Sequence, residues 1–493
     1  MSLSIVLATD KLPEKGSLII TATDGGKLGA LGKQLDKKIG GVISKAIKIK
    51  KFKGKPASMF ALLAPAKSSL DRIVVLGVGD GKKLGVADAE KMGGTALGAV
   101  EKAEGDVTFL LEPLGSNVAD GEIAARAAVG AYLRDYKFEI YKTKNKSSAG
   151  PKKFTVATKA TAPAKKAFAE LKAIADGTIV ARNLVNEPSN VLTPKEFAKR
   201  TKVLAKLGVK VEVLSEAQMK KLGMGSLLGV GQGSVQPSQM VVMQWNGAAK
   251  SKQPVAFVGK GVCFDTGGLN IKPGNSMGLM KKDMGGAANV LALARAIMGL
   301  DIDLQLRVLI PAVENSIAGT AFRPGDILKS RKGLSVEINN TDAEGRLILA
   351  DALSYASEDD PHLIISMATL TGAARIALGT DLAPFYAGLD SDATAISEAS
   401  VAAMDPVWRM PFWDPYDKLI EPQIADLDNA PAGGFAGSIT AALFLRRFVK
   451  NPEKYIHFDI YSWQQNSSIL GPKGGLTQGP RAILLALDKL LSI

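Results

Sequence analysis

The sequence predicts an α/β protein of two domains, and three observations predict it. Strand-like runs alternate with helix-like runs along the whole chain. At 493 residues the chain is longer than one average domain. The charge divides unevenly: residues 1–180 carry 30 Lys and Arg against 18 Asp and Glu, a net +12, while residues 181–493 carry 32 against 30, a net +2. The expected layout is a smaller, basic N-terminal α/β domain over 1–162, a connecting helix over 163–187, and a larger C-terminal α/β domain over 188–493. The larger domain should hold a central mixed sheet flanked by helices.

In the first domain, strands are expected at 17–21, 59–63, 72–77, 107–112 and 154–158, and helices at 28–38, 87–102 and 121–136. Residues 141–151 are polar and turn-rich and read as an exposed loop. An Ala/Lys/Leu-rich helical pattern follows over 163–185, and Pro188 breaks it. In the second domain, strands are expected at 209–214, 240–245, 255–259, 304–310, 334–338, 363–367 and 455–460. Helices are expected at 286–298, 345–357, 439–449 and 480–490.

Composition excludes several function classes. Apolar content of 46% and charged content of 22% suit a protein with a sizeable core. No run of 18 apolar residues points to a membrane span, and the apolar N-terminal run lacks the basic flank of a secretory signal. Cys263 is the sole cysteine, so no intrachain disulfide forms and a reducing, cytoplasmic setting is expected. His362 and His457 are the only histidines, which rules out zinc fingers, His-Glu-x-x-His sites and Cys/His clusters. Any metal site must be rich in oxygen ligands. The glycine turns at 77–81 and 229–234 do not match the dinucleotide fingerprint. Ser438 reads as a helix start rather than a nucleophile, and Cys263 as a small buried residue rather than a catalytic thiol.

Two acidic clusters remain. Residues 340–347, Asn-Thr-Asp-Ala-Glu-Gly-Arg-Leu, place Asp342, Glu344 and Arg346 at a strand-to-helix junction. Thr341 followed by Glu344 has the spacing of a capping box, so helix opening is a structural reading of the same residues. Upstream, residues 258–274 and 280–288 carry Asp265 and Asp283 among glycines, with Lys260 and Lys272 alongside. Four carboxylates converging in a partly buried cleft would repel strongly. Two divalent cations about 3.5–4 Å apart, bridged by a water, would neutralise them. Hard oxygen ligands suit manganese, magnesium or cobalt, with zinc also compatible. In such a site the pKa of water falls from 15.7 toward roughly 7, producing hydroxide at neutral pH.

Residues 258–268, 282–288 and 340–347 closely resemble the signatures of the leucyl (cytosol) aminopeptidases, which are two-metal exopeptidases. Residues 311–315, 323–326, 369–372 and 436–442 are similar as well, and the motifs run in family order over roughly 180–490. The resemblance implies release of N-terminal residues, Leu among them, from peptides with a free N-terminus, in intracellular peptide turnover, by a bridging metal hydroxide. It implies one metal, manganese or zinc foremost, on Asp265, Asp342 and Glu344, and a second on Lys260, Asp265, Asp283 and Glu344. Lys260 would ligate as a neutral amine, its pKa pulled below about 10.4 by the adjacent dications. Lys272 would stabilise the oxyanion, Arg346 would hold a bicarbonate that moves the proton, and Met280, Leu370 and Gly372 would contact the first substrate residue. It also implies a homohexamer. Lys282 departs from the family's usual residue before Asp283.

Two other function classes have some footing in the sequence. A charge of +12 over the first 180 residues could support phosphate contacts with DNA. The lysines are scattered without aromatic interleaving, however, which favours a solvated surface. A two-metal phosphoesterase would call for histidines that this chain lacks.

Overall fold

The Val255–Gly259, Leu363–Ala368 and Tyr455–Asp459 strands are buried along their whole length. Continuous burial of this kind marks strands covered on both faces. They sit in the middle of a mixed sheet whose order is Val407–Arg409, Ala383–Ala387, Tyr455–Asp459, Leu363–Ala368, Val255–Gly259, Gln305–Asn315, Gln239–Asn246 and Lys210–Leu214. The four strands from Tyr455–Asp459 to Gln305–Asn315 run parallel. Antiparallel pairs flank them: Ala383–Ala387 on one side and Gln239–Asn246 on the other. Gly261–Asp265 adds a further parallel pairing to the upper half of Gln305–Asn315, with Asp265 beside Asn315.

The computed structural model describes residues 3–144, 146, 150–247 and 254–491. They divide into two units: Met1–Ala175 with Asn466–Lys473, and Asp176–Gln465 with Gly474–Ile493. The first unit is built on a second mixed sheet, ordered Ser4–Ala8, Lys153–Ala157, Asp106–Leu110, Gly16–Thr23, Leu70–Gly79 and Met59–Leu63. Its core gathers Ile19, Val74, Phe109, Phe154 and the inward face of Asp120–Arg134. The helix Thr161–Asn186 occupies the position expected of the connector. Among the described residues no helix is long and apolar enough to cross a membrane.

Most expected elements appear within one to three residues of their expected limits, because their apolar periodicity is strong. The exceptions are instructive. Ser4–Ala8 and Gly261–Asp265 are strands that the pattern did not reveal, the latter because Gly261 and Asp265 bound a stretch of only five residues. The strand expected at 334–338 shrinks to Ser335–Glu337 and leaves the central sheet. It pairs instead with Ile327–Lys329 and Leu427–Asp428 in a separate three-stranded sheet. Part of the loop expected at 141–151 lies outside the described residues.

Candidate metal centre and active site

The carboxyl ends of the parallel strands converge on one locus, as ligand sites in α/β sheets do. Lys260 follows Gly259, Asp265 ends its strand, Asn315 ends Gln305–Asn315, Thr369 follows Ala368, and Asp459 ends Tyr455–Asp459. Two helices deliver the remaining groups. Asp283 lies just before Gly285–Gly299, and Glu344 is the first residue of Glu344–Ser357. The structure therefore brings together all five expected metal-binding side chains.

Asp265, Asp342 and Glu344 each offer an oxygen, and these oxygens lie within 4.8 Å of one another. Lys260 Nζ sits 2.8 Å from Asp283 Oδ2, 2.8 Å from Glu344 Oε1 and 2.9 Å from the Thr369 carbonyl. Lys272 Nζ sits 2.8 Å from Asp265 Oδ2 and also pairs with Asp342. Two ammonium groups thus stand against four carboxylates and offset only half of their charge. Close as they are, Asp283 Oδ2, Asp342 Oδ1 and Glu344 Oε1 accept no well-aligned hydrogen bond despite their burial. Carboxylate oxygens gathered at one point with unused lone pairs fit a hard divalent cation.

The electrostatics follow from burial. Desolvation acts against charge on Lys260, but Asp283, Glu344 and Asp265 outweigh it and hold its ammonium well above the ordinary lysine value. Burial, then the Asp265 charge, raises Glu344 to about 8 and Asp342 to about 6. Asp283 goes the other way: burial pushes it up, and Lys260, Lys282 and Lys272 more than reverse the effect. Lys282 is pulled down to about 8 by burial. Arg346, also buried, is lowered to about 10, and its Nε and Nη1 have no hydrogen-bond partner among the described residues.

Local backbone explains the convergence. Asp265 Oδ1 accepts the Gly267 amide at 2.8 Å, which folds the chain back after the strand. Gly267 has φ +87°, and a Cβ there would lie 3.0 Å from Asp342 Oδ1. The capping box expected from Thr341 and Glu344 is not formed. The helix begins at Glu344 with Ala343 as its cap residue and no side-chain cap, while the Thr341 hydroxyl donates to the Gly267 carbonyl at 2.6 Å and accepts the Asn270 amide at 2.8 Å. The loop at 267–270 lies against Thr341 and offers a carbonyl and an amide, so Thr341 ties the two acidic clusters together instead. Gly345 permits a different close approach, because a Cβ there would meet Lys260 Cε at 2.6 Å.

Met280 is partly buried in the Met280–Lys282 turn, Leu370 partly buried beyond Thr369, and Gly372 exposed at the start of Gly372–Leu378. Ser438 lies in the first turn of Gly437–Arg446, where its hydroxyl donates to Asp459 Oδ2 at 2.8 Å, and Cys263 is buried.

Several polar residues had no role assigned from sequence. Asn315 Nδ2 donates to Asp265 Oδ1 at 2.8 Å and to the Thr341 carbonyl at 3.0 Å. Thr369 Oγ1 donates to Asp283 Oδ1 at 2.9 Å. Asn429 Oδ1 accepts the Asn339 amide at 2.8 Å, and its Nδ2 donates to the Asn340 carbonyl at 2.7 Å, fixing the loop before Asp342. A polar residue at the carboxyl end of an apolar strand would have been the signal for Asn315 and Thr369.

Comparison with known proteins agrees with this geometry. The cytosol aminopeptidase family, catalytic domain, matches residues 179–484, and the N-terminal domain of the same family matches residues 19–145. The chain belongs to the cytosol aminopeptidase family. A probable cytosol aminopeptidase of Chelativorans sp. (strain BNC1) is 46% identical over 461 residues, covering 93% of this chain and 92% of the relative. The crystal structure of the cytosol aminopeptidase from Coxiella burnetii is 32% identical, covers 98% of each chain and superposes with a TM-score of 0.82. The bottromycin maturation enzyme BotP in complex with Mn is 30% identical, covers 97% of this chain and 99% of its own, and gives a TM-score of 0.83. This chain is accordingly a metal-dependent aminopeptidase, a metallo-exopeptidase that releases N-terminal residues from peptides.

Proposed function

We propose that this aminopeptidase binds two divalent ions, manganese or zinc, and acts as a leucyl aminopeptidase in intracellular peptide turnover. The observation that carries this reading is the convergence of Asp265, Asp342 and Glu344 oxygens within 4.8 Å. One ion would lie on Asp265, Asp342 and Glu344, the other on Lys260, Asp265, Asp283 and Glu344. When bound, the ions supply Lewis-acid polarisation and lower the pKa of water. To act as a ligand, Lys260 must give up the proton that its carboxylate neighbours now hold on it.

Lys272 donates to the scissile carbonyl oxygen and steadies the negative charge that develops there. Its side chain is 13% exposed, so it can turn from the carboxylates toward substrate. Arg346, with Nε and Nη1 unpartnered among the described residues, would hold bicarbonate, which would supply a base there. Met280, Leu370 and Gly372 receive the first residue. The domain limits 1–162, 163–187 and 188–493, a homohexameric assembly and a cytoplasmic setting belong to the same reading. The family assignment lends no support to DNA binding by the basic N-terminal domain.

The test is hydrolysis of Leu-p-nitroanilide. Chelation should abolish it and Mn or Zn should restore it, with proton release on metal uptake seen by calorimetry in buffers of different ionisation enthalpy. Full activity after exhaustive chelation would overturn the metal assignment.

A further inference from the structure

Lys281 and Lys282 leave the same turn into different surroundings. Lys281 Nζ donates to the Asn186 carbonyl at 2.7 Å and lies 5.7 Å from the centre of the Trp463 ring. Lys282 is only 5% exposed, and its Nζ stands 4.5 Å over the Tyr461 ring. Among the described residues it has no hydrogen-bond acceptor and no carboxylate at ion-pair distance. Asp283, the one acid that acts on it appreciably, faces Lys260 instead, with Oδ2 2.8 Å from that ammonium and Oδ1 accepting the Thr369 hydroxyl at 2.9 Å. The other charges acting on Lys282, those of Lys260, Arg375 and Lys272, are all positive.

A buried ammonium without an anion is costly, and a ring face offsets only part of the cost. Its position indicates what completes it. Lys282 shares its turn with Met280, Thr369 bonds the neighbouring Asp283, and Leu370 follows Thr369 in the chain. Arg375 extends from the helix that Gly372 begins. The cation therefore lies among the charged groups of the metal centre, on the stretch of chain that carries the proposed first-residue contacts, and the missing anion is one that arrives with substrate.

We propose that Lys282 determines specificity by pairing with a carboxylate side chain on the first residue of the peptide, so that the enzyme favours substrates beginning with an acidic residue over their neutral isosteres. This rests on the assignment of Met280, Leu370 and Gly372 to the first-residue pocket. Tyr461 supports the lysine from behind, its hydroxyl held by Gln465 Nε2 at 2.7 Å.

The experiment compares Glu-, Gln- and Leu-p-nitroanilide on the Mn-loaded wild type, Lys282→Met and Lys282→Arg. Glu and Gln differ in charge at nearly constant shape. The wild type should favour Glu over Gln in kcat/KM by about tenfold or more, the worth of one charge-assisted hydrogen bond. Lys282→Met should bring that ratio down to about one, and Lys282→Arg should retain a preference for Glu. Should Lys282→Met fail to fold, tighter competitive inhibition of the wild type by free glutamate than by glutamine supports the pairing, and equal inhibition overturns it. A wild type that cleaves the Leu substrate with no preference for Glu over Gln overturns this inference alone, as does a ratio unmoved in Lys282→Met. Failure to cleave any of the three overturns the pocket assignment beneath it.

Discussion

Asn315 offers the sharpest test of how the centre is held. It is fully buried at the end of Gln305–Asn315, and its one amide group donates to Asp265 Oδ1 at 2.8 Å and to the Thr341 carbonyl at 3.0 Å. It thereby links the strand-end acid to the loop that carries Asp342 and Glu344. Asn315→Ala removes a donor from both acceptors. Asp265 Oδ1 keeps the Gly267 amide, so the larger loss falls on the Thr341 carbonyl. With about 1–3 kcal/mol for each buried acceptor left short, the expected destabilisation is about 2–4 kcal/mol. Freeing a ligand from its orienting partner typically lowers metal affinity or activity by about 10–100-fold, and that range is expected here for Mn. Asn315→Asp should be no better than Ala, since it exchanges a donor for a second negative charge against Asp265. Mn titration calorimetry and kcat/KM for Leu-p-nitroanilide measure both effects. Asn315→Ala with Mn affinity within about threefold of wild type and an unmoved urea midpoint would refute the reasoning.

Other expected outcomes follow from the same geometry. Lys272→Ala should lower kcat by about 10²–10³-fold while metal content by elemental analysis stays near that of the wild type, and parallel loss of metal would reassign Lys272 to metal retention. Gly345→Ala sets a Cβ 2.6 Å from Lys260 Cε and 2.7 Å from its Nζ, so the amine is displaced and bound Mn should fall toward about one per chain. His457 is pulled down to about 3 from an ordinary 6.5, first by burial and then by Arg346, so the folded state excludes the proton that the unfolded state accepts. Its contribution to stability is complete above pH 6.5 and is lost as pH falls from there through about 3. His457→Gln should flatten the fall of the urea midpoint across that interval. An identical slope in variant and wild type would show that other groups carry it.

How much was legible in the chain follows from which forces are local. The buried strands at 255–259 and 363–368 and the helix at 285–299 declare themselves through apolar periodicity, because burial on both faces or on one face imposes a repeat. Near absence of histidine, one cysteine and two acidic clusters narrow any metal site to oxygen ligands, because coordination chemistry depends on residue type. Asp265, Asp283, Asp342 and Glu344 could therefore be named as candidates without coordinates, and Lys260 through the family resemblance alone.

What Thr341 does could not. Its spacing to Glu344 is that of a cap, yet its hydroxyl serves Gly267 and Asn270, residues more than seventy positions away along the chain. The partners of Asn315, the separate sheet that holds Ser335–Glu337 and the solitary charge of Lys282 share that character. A hydrogen bond or an ion pair goes to whichever group the fold brings near, and neither composition nor periodicity records that choice. By itself the sequence determined most of the buried strands and long helices and the identity of the acids, because periodic burial and ligand chemistry are properties of the residues. The tertiary structure alone decided which lysine faces which carboxylate, because such pairing depends on distances that only the folded chain sets.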